Sequence, residues 1–293
     1  MSEQKTYSLF RLDYESIKGL GTISLGLDSI FDLSQLDFAT PDGIVLFRLL
    51  LHKIINENGK KVKIIFPNES KGQYSVRRYL THVSLFKGLK VELQLKDQIY
   101  QLTGKILPKE NASPTHTKII DGTDFDIESQ LNHLVSVLIK FLGDNKFIKD
   151  RDEYIYHNIF QEAFLNQKNH SSLGRATSYF CAQAQVYRKN KPRIILSIGD
   201  CGVGVRASLN TQFNFQTDEE ALRAAVVEQK SRFVDNEDRG GGIRYIFDKC
   251  GPLKLNCLLR SGNSQIQRLK GFHDFEFSNT PYFPGTQLIL ANY

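Results

Sequence analysis

Residues 194–204 have the sequence IILSIGDCGVG, an apolar run that ends in a glycine-rich turn. The apolar run predicts a buried strand. At the end of this strand, the carboxylate of Asp200 can accept a hydrogen bond from an exocyclic amine such as that of adenine. Gly202 and Gly204 have no Cβ, so a ligand can approach the backbone closely. The stretch therefore predicts one wall of a nucleotide site.

Two other nucleotide-binding motifs are excluded by their context. The spacing of Gly202, Gly204 and Ala207 after a strand also fits a dinucleotide fingerprint, which requires a βαβ unit and an acidic residue about 20 positions further on. Residues 210–217 are instead rich in Gln, Asn and Thr, and they lead into a helix with no apolar second strand. The Walker sequence G-x-x-x-x-G-K-[ST] occurs nowhere in the chain, which excludes a P-loop.

A helical segment upstream of this stretch supplies a carboxylate and an amide. Glu162 and Asn166 are four positions apart in the helix predicted for residues 152–167, so they lie on one face. The opposite face is apolar and is expected to be buried. An amide oxygen is a hard ligand for Mg²⁺, and a carboxylate beside it can accept a proton from an attacking water. The pair indicates a hydrolytic site.

Three glycines downstream open an amphipathic helix in the sequence DRGGGIRYIFD, residues 238–248. The free N–H groups of a helix N-terminus bind phosphate, and glycines allow the close approach that this requires. Gly285 and Thr286 precede the last predicted strand, where the threonine hydroxyl can reach a phosphate or its water. These residues predict the phosphate end of the same site.

In this order, the four motifs resemble those of the GHKL, or histidine-kinase-like, ATPase superfamily, over residues 127–293. The resemblance implies ATP and Mg²⁺ as cofactors, Glu162 as the general base and Asn166 as the Mg²⁺ ligand. Asp200 would recognise adenine. The other ATP-binding residues that the resemblance implies are His170, Gly202, Gly204, Gly240, Gly241, Gly242, Ile243 and Thr286. His170 resembles the end of the N-A-x-x-H form of anti-sigma-factor kinases, although Gln167 stands where that form has alanine.

The segment between Gly204 and Gly240 corresponds, by the same resemblance, to an ATP lid. Its cations Lys230, Arg232 and Arg239 are candidates for contact with the γ-phosphate. The charged run at residues 232–239 belongs to this segment. A protein partner is expected at the lid or at the first half of the chain.

The first half alternates strands with helices, which indicates an α/β fold. Residues 27–66, with a later helix and turn at residues 79–86, resemble a STAS domain, the fold of anti-sigma-factor antagonists. Where such domains carry a phosphorylatable serine, this chain has Thr40, Pro41 and Asp42. The resemblance implies a regulatory or interaction module in which Thr40 is the nearby hydroxyl.

A polar seam with prolines divides the chain. We predict a STAS-like domain at residues 1–107, a linker at 108–118 and a GHKL ATP-binding domain at 119–293. The fold class is α/β and α+β, and the second domain is expected to be a Bergerat α/β sandwich with a mixed sheet on one face of helices. The predicted helices cover residues 44–56, 74–80, 127–142, 152–167, 219–228 and 242–249. The predicted strands cover residues 6–12, 22–27, 30–34, 61–66, 89–95, 176–186, 193–198, 253–260, 265–269 and 287–291.

Composition limits the classes of protein that the chain can represent. Its 293 residues are 41% hydrophobic and 24% charged, and no apolar run is long enough for a membrane span. The polar start lacks the apolar core of a signal peptide, which predicts a cytoplasmic protein. The four cysteines have no C-x-x-C spacing, which disfavours zinc. The formal charge of +6 is mild and scattered, which disfavours a nucleic-acid partner.

Two functions remain open at this point. The chain is an ATP hydrolase or serine/threonine-type kinase regulated through its STAS-like half, or it is an ATP-dependent interaction switch with little turnover. Glu162 favours turnover, because a pure binder needs no base. A sensor histidine kinase would need a phosphoacceptor such as His133, but no acidic or arginine neighbour follows this residue, so that class is disfavoured. Gyrase-like machines carry a transducer domain after the last motif, and they are disfavoured as well. A homodimer is compatible with the resemblance.

Overall fold

The computed structural model describes residues 4–18, 20, 27–67, 76–82, 85–86, 89–95, 98–103, 119–121, 127–144, 148–171, 178–187, 191–232 and 241–292. Within these ranges the chain forms one mostly parallel sheet in its first half and one antiparallel sheet in its second half, both packed against helices. The predicted combination of α/β and α+β structure is therefore confirmed at the level of fold class. No helix among the described residues is both long and apolar enough to cross a membrane.

The first half contains a sheet whose strand order largely follows the sequence. Its elements are β1 (Gln4–Ser8), β2 (Arg11–Leu12), α1 (Tyr14–Lys18), β3 (Asp28–Asp32), β4 (Phe38–Ala39), α2 (Pro41–His52), β5 (Val62–Ile65), α3 (Val76–His82), β6 (Lys90–Leu95) and β7 (Gln98–Thr103). The order is β1-β3-β5-β6-β7, parallel up to β6 and antiparallel between β6 and β7. Strands β2 and β4 form a separate parallel pair.

Helix α2 is the central helix of this half. Pro41 occupies its first turn, where a missing N–H costs nothing, and the helix begins three residues before the predicted start at residue 44. A π-helical turn over Lys53–Glu57 follows, and the chain then turns at Gly59 with a φ of +64°. Every residue of α2 from Pro41 to Leu51 is buried. Apolar residues lie on all sides of α2, which is typical of a helix that is covered on all sides.

The second half is built on an antiparallel sheet. Its elements are β8 (Ile119–Asp121), α4 (Ile127–Asp144), α5 (Asp150–Ser171), β9 (Ser178–Tyr187), β10 (Lys191–Asp200), α6 (Gly204–Leu209), α7 (Asp218–Val226), α8 (Gly242–Cys250), β11 (Asn256–Arg268) and β12 (Glu276–Ala291). The strand order is β11-β12-β10-β9-β8, and each of these four described pairings is antiparallel. The expected mixed sheet is wrong for these described strands. β10 and β11 run in the same direction, but β12 lies between them and pairs antiparallel with both.

The two faces of this antiparallel sheet pack against different layers. Alternate residues of β10, namely Ile194, Leu196 and Ile198, share a core with α4, α5 and α8. The intervening Ile195 and Cys201 belong to the core of the first half, in which α2 packs against β9 and β10. Successive side chains of a strand point to opposite faces. Helices α4, α5 and α8 of the second half therefore cover one face of the sheet, and α2 of the first half covers the other.

The segment expected to be a lid is folded where the structure describes it. Residues 204–232 form α6 and α7, which pack on β11 and share a small core of Leu209, Ala221 and Ala224. The capping box of Thr217 and Glu220 starts α7, and Asp218 bonds to Arg206 and to the backbone N–H of Asn263. This part of the segment is a docked layer along β11. Residues 233–240 lie outside the described residues.

Candidate functional site

Three polar residues lie side by side where β10 ends. Asp200 on β10 pairs with Thr286 on β12, and Thr286 pairs with Ser261 on β11. Directly paired residues of an antiparallel sheet share a face. Asp200 and its two neighbours therefore face the same side as Ile198, which is the side covered by α4, α5 and α8.

Two glycines with positive φ bring the connecting loops onto this strand end. Gly204 has a φ of +78°, and a Cβ there would lie 2.8 Å from Ser261 Oγ. Gly285 has a φ of +82°, and a Cβ there would overlap the carbonyl oxygen of Asp200. Ser261 Oγ accepts a hydrogen bond from the N–H of Val205 at 2.8 Å and donates to the carbonyl oxygen of Gly285 at 3.1 Å. The two loops are thus locked together, and we call Asp200, Gly204, Ser261, Gly285 and Thr286 the strand-end cluster.

Asp200 is almost fully enclosed within this cluster, with 2% of its surface exposed. The backbone N–H of Gly202 donates to its Oδ1 at 2.6 Å. Burial raises the pKa of the Asp200 carboxyl from 3.8 to about 7, against the lowering effect of hydrogen bonds from the N–H groups of Gly202 and Thr286. A buried carboxyl whose pKa is raised in this way makes the strand end a candidate functional site.

A second cluster forms where α8 begins. A Cβ on Gly242 would lie 2.5 Å from Glu162 Oε2 and 2.7 Å from Asn166 Nδ2, so the start of α8 touches both side chains of α5. Asn166 donates from Nδ2 to the carbonyl oxygen of Glu162 at 2.8 Å. That bond engages the amide nitrogen, so the amide oxygen is the atom that a hard cation would take. We call Glu162, Asn166 and Gly242 the helix-end cluster.

Both clusters lie on one side of the antiparallel sheet. Ile159, Phe160 and Ala163 on the buried face of α5 pack with Ile246 and Phe247 of α8 and with the face of β10 that carries Asp200. The predicted apolar face of this helix is therefore confirmed at these residues. The carboxylate of Asp200 at the end of β10 therefore lies on the same side of the sheet as Glu162 and Asn166, which meet the start of α8.

The remaining candidate residues divide into three groups. Gly202 and Gly204 lie at the strand-end cluster, while Gly241 is the exposed N-cap of α8 and Ile243 is half-buried in its first turn. Lys230 pairs with Glu228 at 2.8 Å and lies over the rings of Phe213 and Phe215, so its described contacts belong to the α6–α7 layer. Arg239, Gly240 and the side chain of His170 lie outside the described residues.

The structure also describes the Thr40 hydroxyl and the His133 imidazole, which the sequence analysis considered as sites of phosphorylation. Thr40 is 5% exposed, and its Oγ1 donates to the carbonyl oxygen of Leu12 at 3.3 Å. His133 lies exposed on α4. In this state the Thr40 hydroxyl is inaccessible to a modifying enzyme.

The described residues contain no cluster of three or more His, Cys, Asp or Glu side chains arranged to hold a metal. Mg²⁺ needs no such cluster, because it keeps waters and is often held by one or two protein oxygens together with substrate phosphates. The single amide oxygen of Asn166 is compatible with that mode.

Ser261 is the member of the strand-end cluster that sequence reasoning missed. The stretch Ser261-Gly262-Asn263-Ser264 predicts a turn between two strands, whereas the structure continues through it as one long β11. Gly262 has a φ of +61° at a bulge in the β11–β12 pairing. A serine directly before a glycine inside a strand-like run is the signal that could have marked it.

Comparison of the chain with protein-family models, with curated proteins and with solved structures finds no match.

Proposed function

We propose that this chain binds Mg-ATP at the two clusters and acts as an ATP hydrolase or serine/threonine-type protein kinase of the GHKL kind, with ATP and Mg²⁺ as cofactors. The observation that supports this most is the contact of Gly242 with Glu162 and Asn166. These motifs are far apart in sequence, and a nucleotide site of this kind requires them together.

The residues of the site divide the work by their chemistry. The N–H groups at the start of α8 attract phosphate oxygens, since the helix dipole is positive there. Mg²⁺ would be held through Asn166 Oδ1 and would neutralise phosphate charge when bound. Glu162 accepts a proton from the attacking water or hydroxyl. Asp200 accepts a hydrogen bond from the exocyclic amine of the base.

The alternative is an ATP-dependent interaction switch with little turnover. One observation favours it: α2 shares a core with the sheet that carries Asp200, so a change at the nucleotide site has a direct route to the first half of the chain. The two functions differ in whether Glu162 acts as a base.

Nucleotide binding and hydrolysis by the wild type and by Glu162→Ala test the proposal. The wild type should bind ATP with Mg²⁺ and release phosphate, whereas Glu162→Ala should keep binding and lose about 10²- to 10⁴-fold in rate, as expected for a lost general base. Glu153→Ala removes the same residue type from the same helix, away from Gly242, and should hydrolyse ATP like the wild type.

Three results would change the assignment. A wild type that binds no Mg-ATP removes the proposal. Binding with the same slow turnover in wild type and Glu162→Ala favours the switch. Transfer of label from γ-labelled ATP to protein, rather than to free phosphate, selects the kinase.

A further inference from the structure

Helix α2 touches the antiparallel sheet directly behind the strand-end cluster. A Cβ on Gly199 of β10 would lie 2.6 Å from Leu49 Cδ1 and 3.1 Å from Val45 Cγ1. Gly199 is the residue before Asp200, and its lack of a side chain is what allows α2 to come this close. Helix α2 therefore meets the backbone of β10 directly before Asp200, the last residue of this strand.

Two hydrogen bonds extend the same contact around Asp200. The thiol of Cys201, the residue after Asp200, donates to the carbonyl oxygen of Leu49 at 3.5 Å. Gln287, the residue after Thr286, donates from Nε2 to the carbonyl oxygen of Asp42 at 3.1 Å. Helix α2 therefore holds both neighbours of Asp200 and one neighbour of Thr286.

The opposite side of α2 is fixed by the first half of the chain. The ring of Phe47 packs edge-on against Phe31 of β3 with centroids 5.1 Å apart. Leu49 and Leu51 are both fully buried, and two positions on a helix turn by about 200°. Leu51 therefore lies on the Phe47 side, away from Leu49 and β10.

We propose that α2 positions the polar groups of the nucleotide site. Leu49 and Val45 pack against Gly199 and so fix the positions of Asp200 and Thr286. The inference rests on the proposed function. It also assigns the occupant of this face of α2, which is the antiparallel sheet of the same chain. A partner that needs α2 must first release β10, and so must disturb the base-binding end of the site.

Leu49→Ala and Leu51→Ala form the matched test. Each removes the same atoms from the same buried helix, but Leu49 lies on the side that meets Gly199 and Leu51 on the opposite side. Circular dichroism first establishes that each variant is folded. Leu49→Ala should then weaken Mg-ATP binding about tenfold to a hundredfold, because small displacements of positioning groups have such effects. It should also lower the ratio of ATP affinity to GTP affinity. Leu51→Ala should leave both quantities within about twofold of the wild type. Leu49→Met, which keeps the volume, should restore them.

Gly199→Ala provides a second, independent test. Its new methyl group meets Leu49 Cδ1, so binding should fall as in Leu49→Ala, and adding Leu49→Ala to it should recover part of the loss because the clashing atom is gone. If an alanine variant at 49 or 51 does not fold, valine at the same position is compared instead.

The outcomes separate the two proposals. A wild type without Mg-ATP binding refutes the proposed function. A wild type that binds, together with equal affinities and equal ATP-to-GTP ratios in the Leu49 and Leu51 variants, overturns the positioning role alone. If the double variant Gly199→Ala, Leu49→Ala binds Mg-ATP no better than Gly199→Ala alone, that result also counts against the positioning role.

Discussion

The strand-end and helix-end clusters lie on the same side of one sheet, yet they are held in different ways. At the strand end, the atom that a Cβ on Gly285 would strike is the backbone oxygen of Asp200. At the helix end, the atoms that a Cβ on Gly242 would strike are the ends of the Glu162 and Asn166 side chains. Backbone moves only with its strand, whereas side-chain ends rotate. Substitution should therefore damage folding at the first cluster and chemistry at the second.

The largest effect is expected for Gly285→Ala. The new methyl group adds overlap with the Asp200 backbone to the strain of a left-handed conformation, so the free energy of unfolding should fall by about 3–5 kcal/mol. Gly271→Ala is the matched control, because Gly271 has the same kind of φ, +83° against +82°, but no atom within 4 Å of the added Cβ. The control should lose only about 1 kcal/mol.

Denaturant unfolding of the two glycine variants measures this difference. If both lose the same amount, the packing of Gly285 against Asp200 does not hold the strand end, and the contrast between the clusters fails. A larger loss in Gly285→Ala establishes that backbone contact fixes this end of the site.

The second effect is a dependence of stability on pH that comes from Asp200. Its folded pKa of about 7 lies above the usual 3.8, so between these values the folded state binds more protons than the unfolded state. The stabilisation that Asp200 contributes should accordingly be fully present at and below about pH 4 and fall by up to about 4 kcal/mol as pH rises to 7, at about 1.4 kcal/mol per pKa unit.

Asp200→Asn isolates this contribution. Asp42, also buried, has a pKa raised by burial and adds a fall of the same sign, so the comparison must be the difference in slope between wild type and variant. The variant should lose part of the slope between pH 4 and 7, whatever its absolute stability. An unchanged slope would show that Asp200 is charged and solvated at the strand end.

The third prediction concerns the helix end. Gly242→Ala should keep the stability within about 1 kcal/mol, because only side-chain ends must move, but should lower ATP hydrolysis about a hundredfold by displacing Glu162 and Asn166. Gly241→Ala, where nothing lies within 4 Å of the added Cβ, should have a clearly smaller effect. Unfolding curves and steady-state hydrolysis rates distinguish the two. A stability loss in Gly242→Ala as large as that of Gly285→Ala would remove the distinction between the clusters.

Local sequence signals predicted much of what surrounds these clusters. The glycines before residue 243 predicted the start of α8. The helix predicted from residue 219 begins at Asp218, after the capping box of Thr217 and Glu220. The polar and apolar faces of α5 followed from helical spacing. Each of these features depends on residues within one turn, so a single sequence window contains the information.

Non-local packing explains the features that were missed. Strand β12 begins at residue 276, not 287, although Pro281 and Pro284 interrupt its pattern, because pairing with β11 holds it. Gly262 continues a strand where its sequence predicts a turn, and Asp218 receives the adjoining N–H of Asn263. Apolar residues on all sides of α2 are typical of a helix that is buried on both sides, but they do not identify β10 as the second partner.

The smallest effect is expected at Thr217, outside both clusters. Its Oγ1 accepts the N–H of Glu220 at 3.1 Å, and Glu220 Oε2 accepts the N–H of Thr217 at 3.2 Å. Thr217→Ala should lower the free energy of unfolding by about 1 kcal/mol, and Thr217→Ser, which keeps the oxygen, should lower it by less. Both should bind Mg-ATP like the wild type if α7 is a fixed layer on β11. Weaker binding in the alanine variant alone would mean that α7 closes over the nucleotide, so that the site includes a third, movable part beside its two fixed clusters.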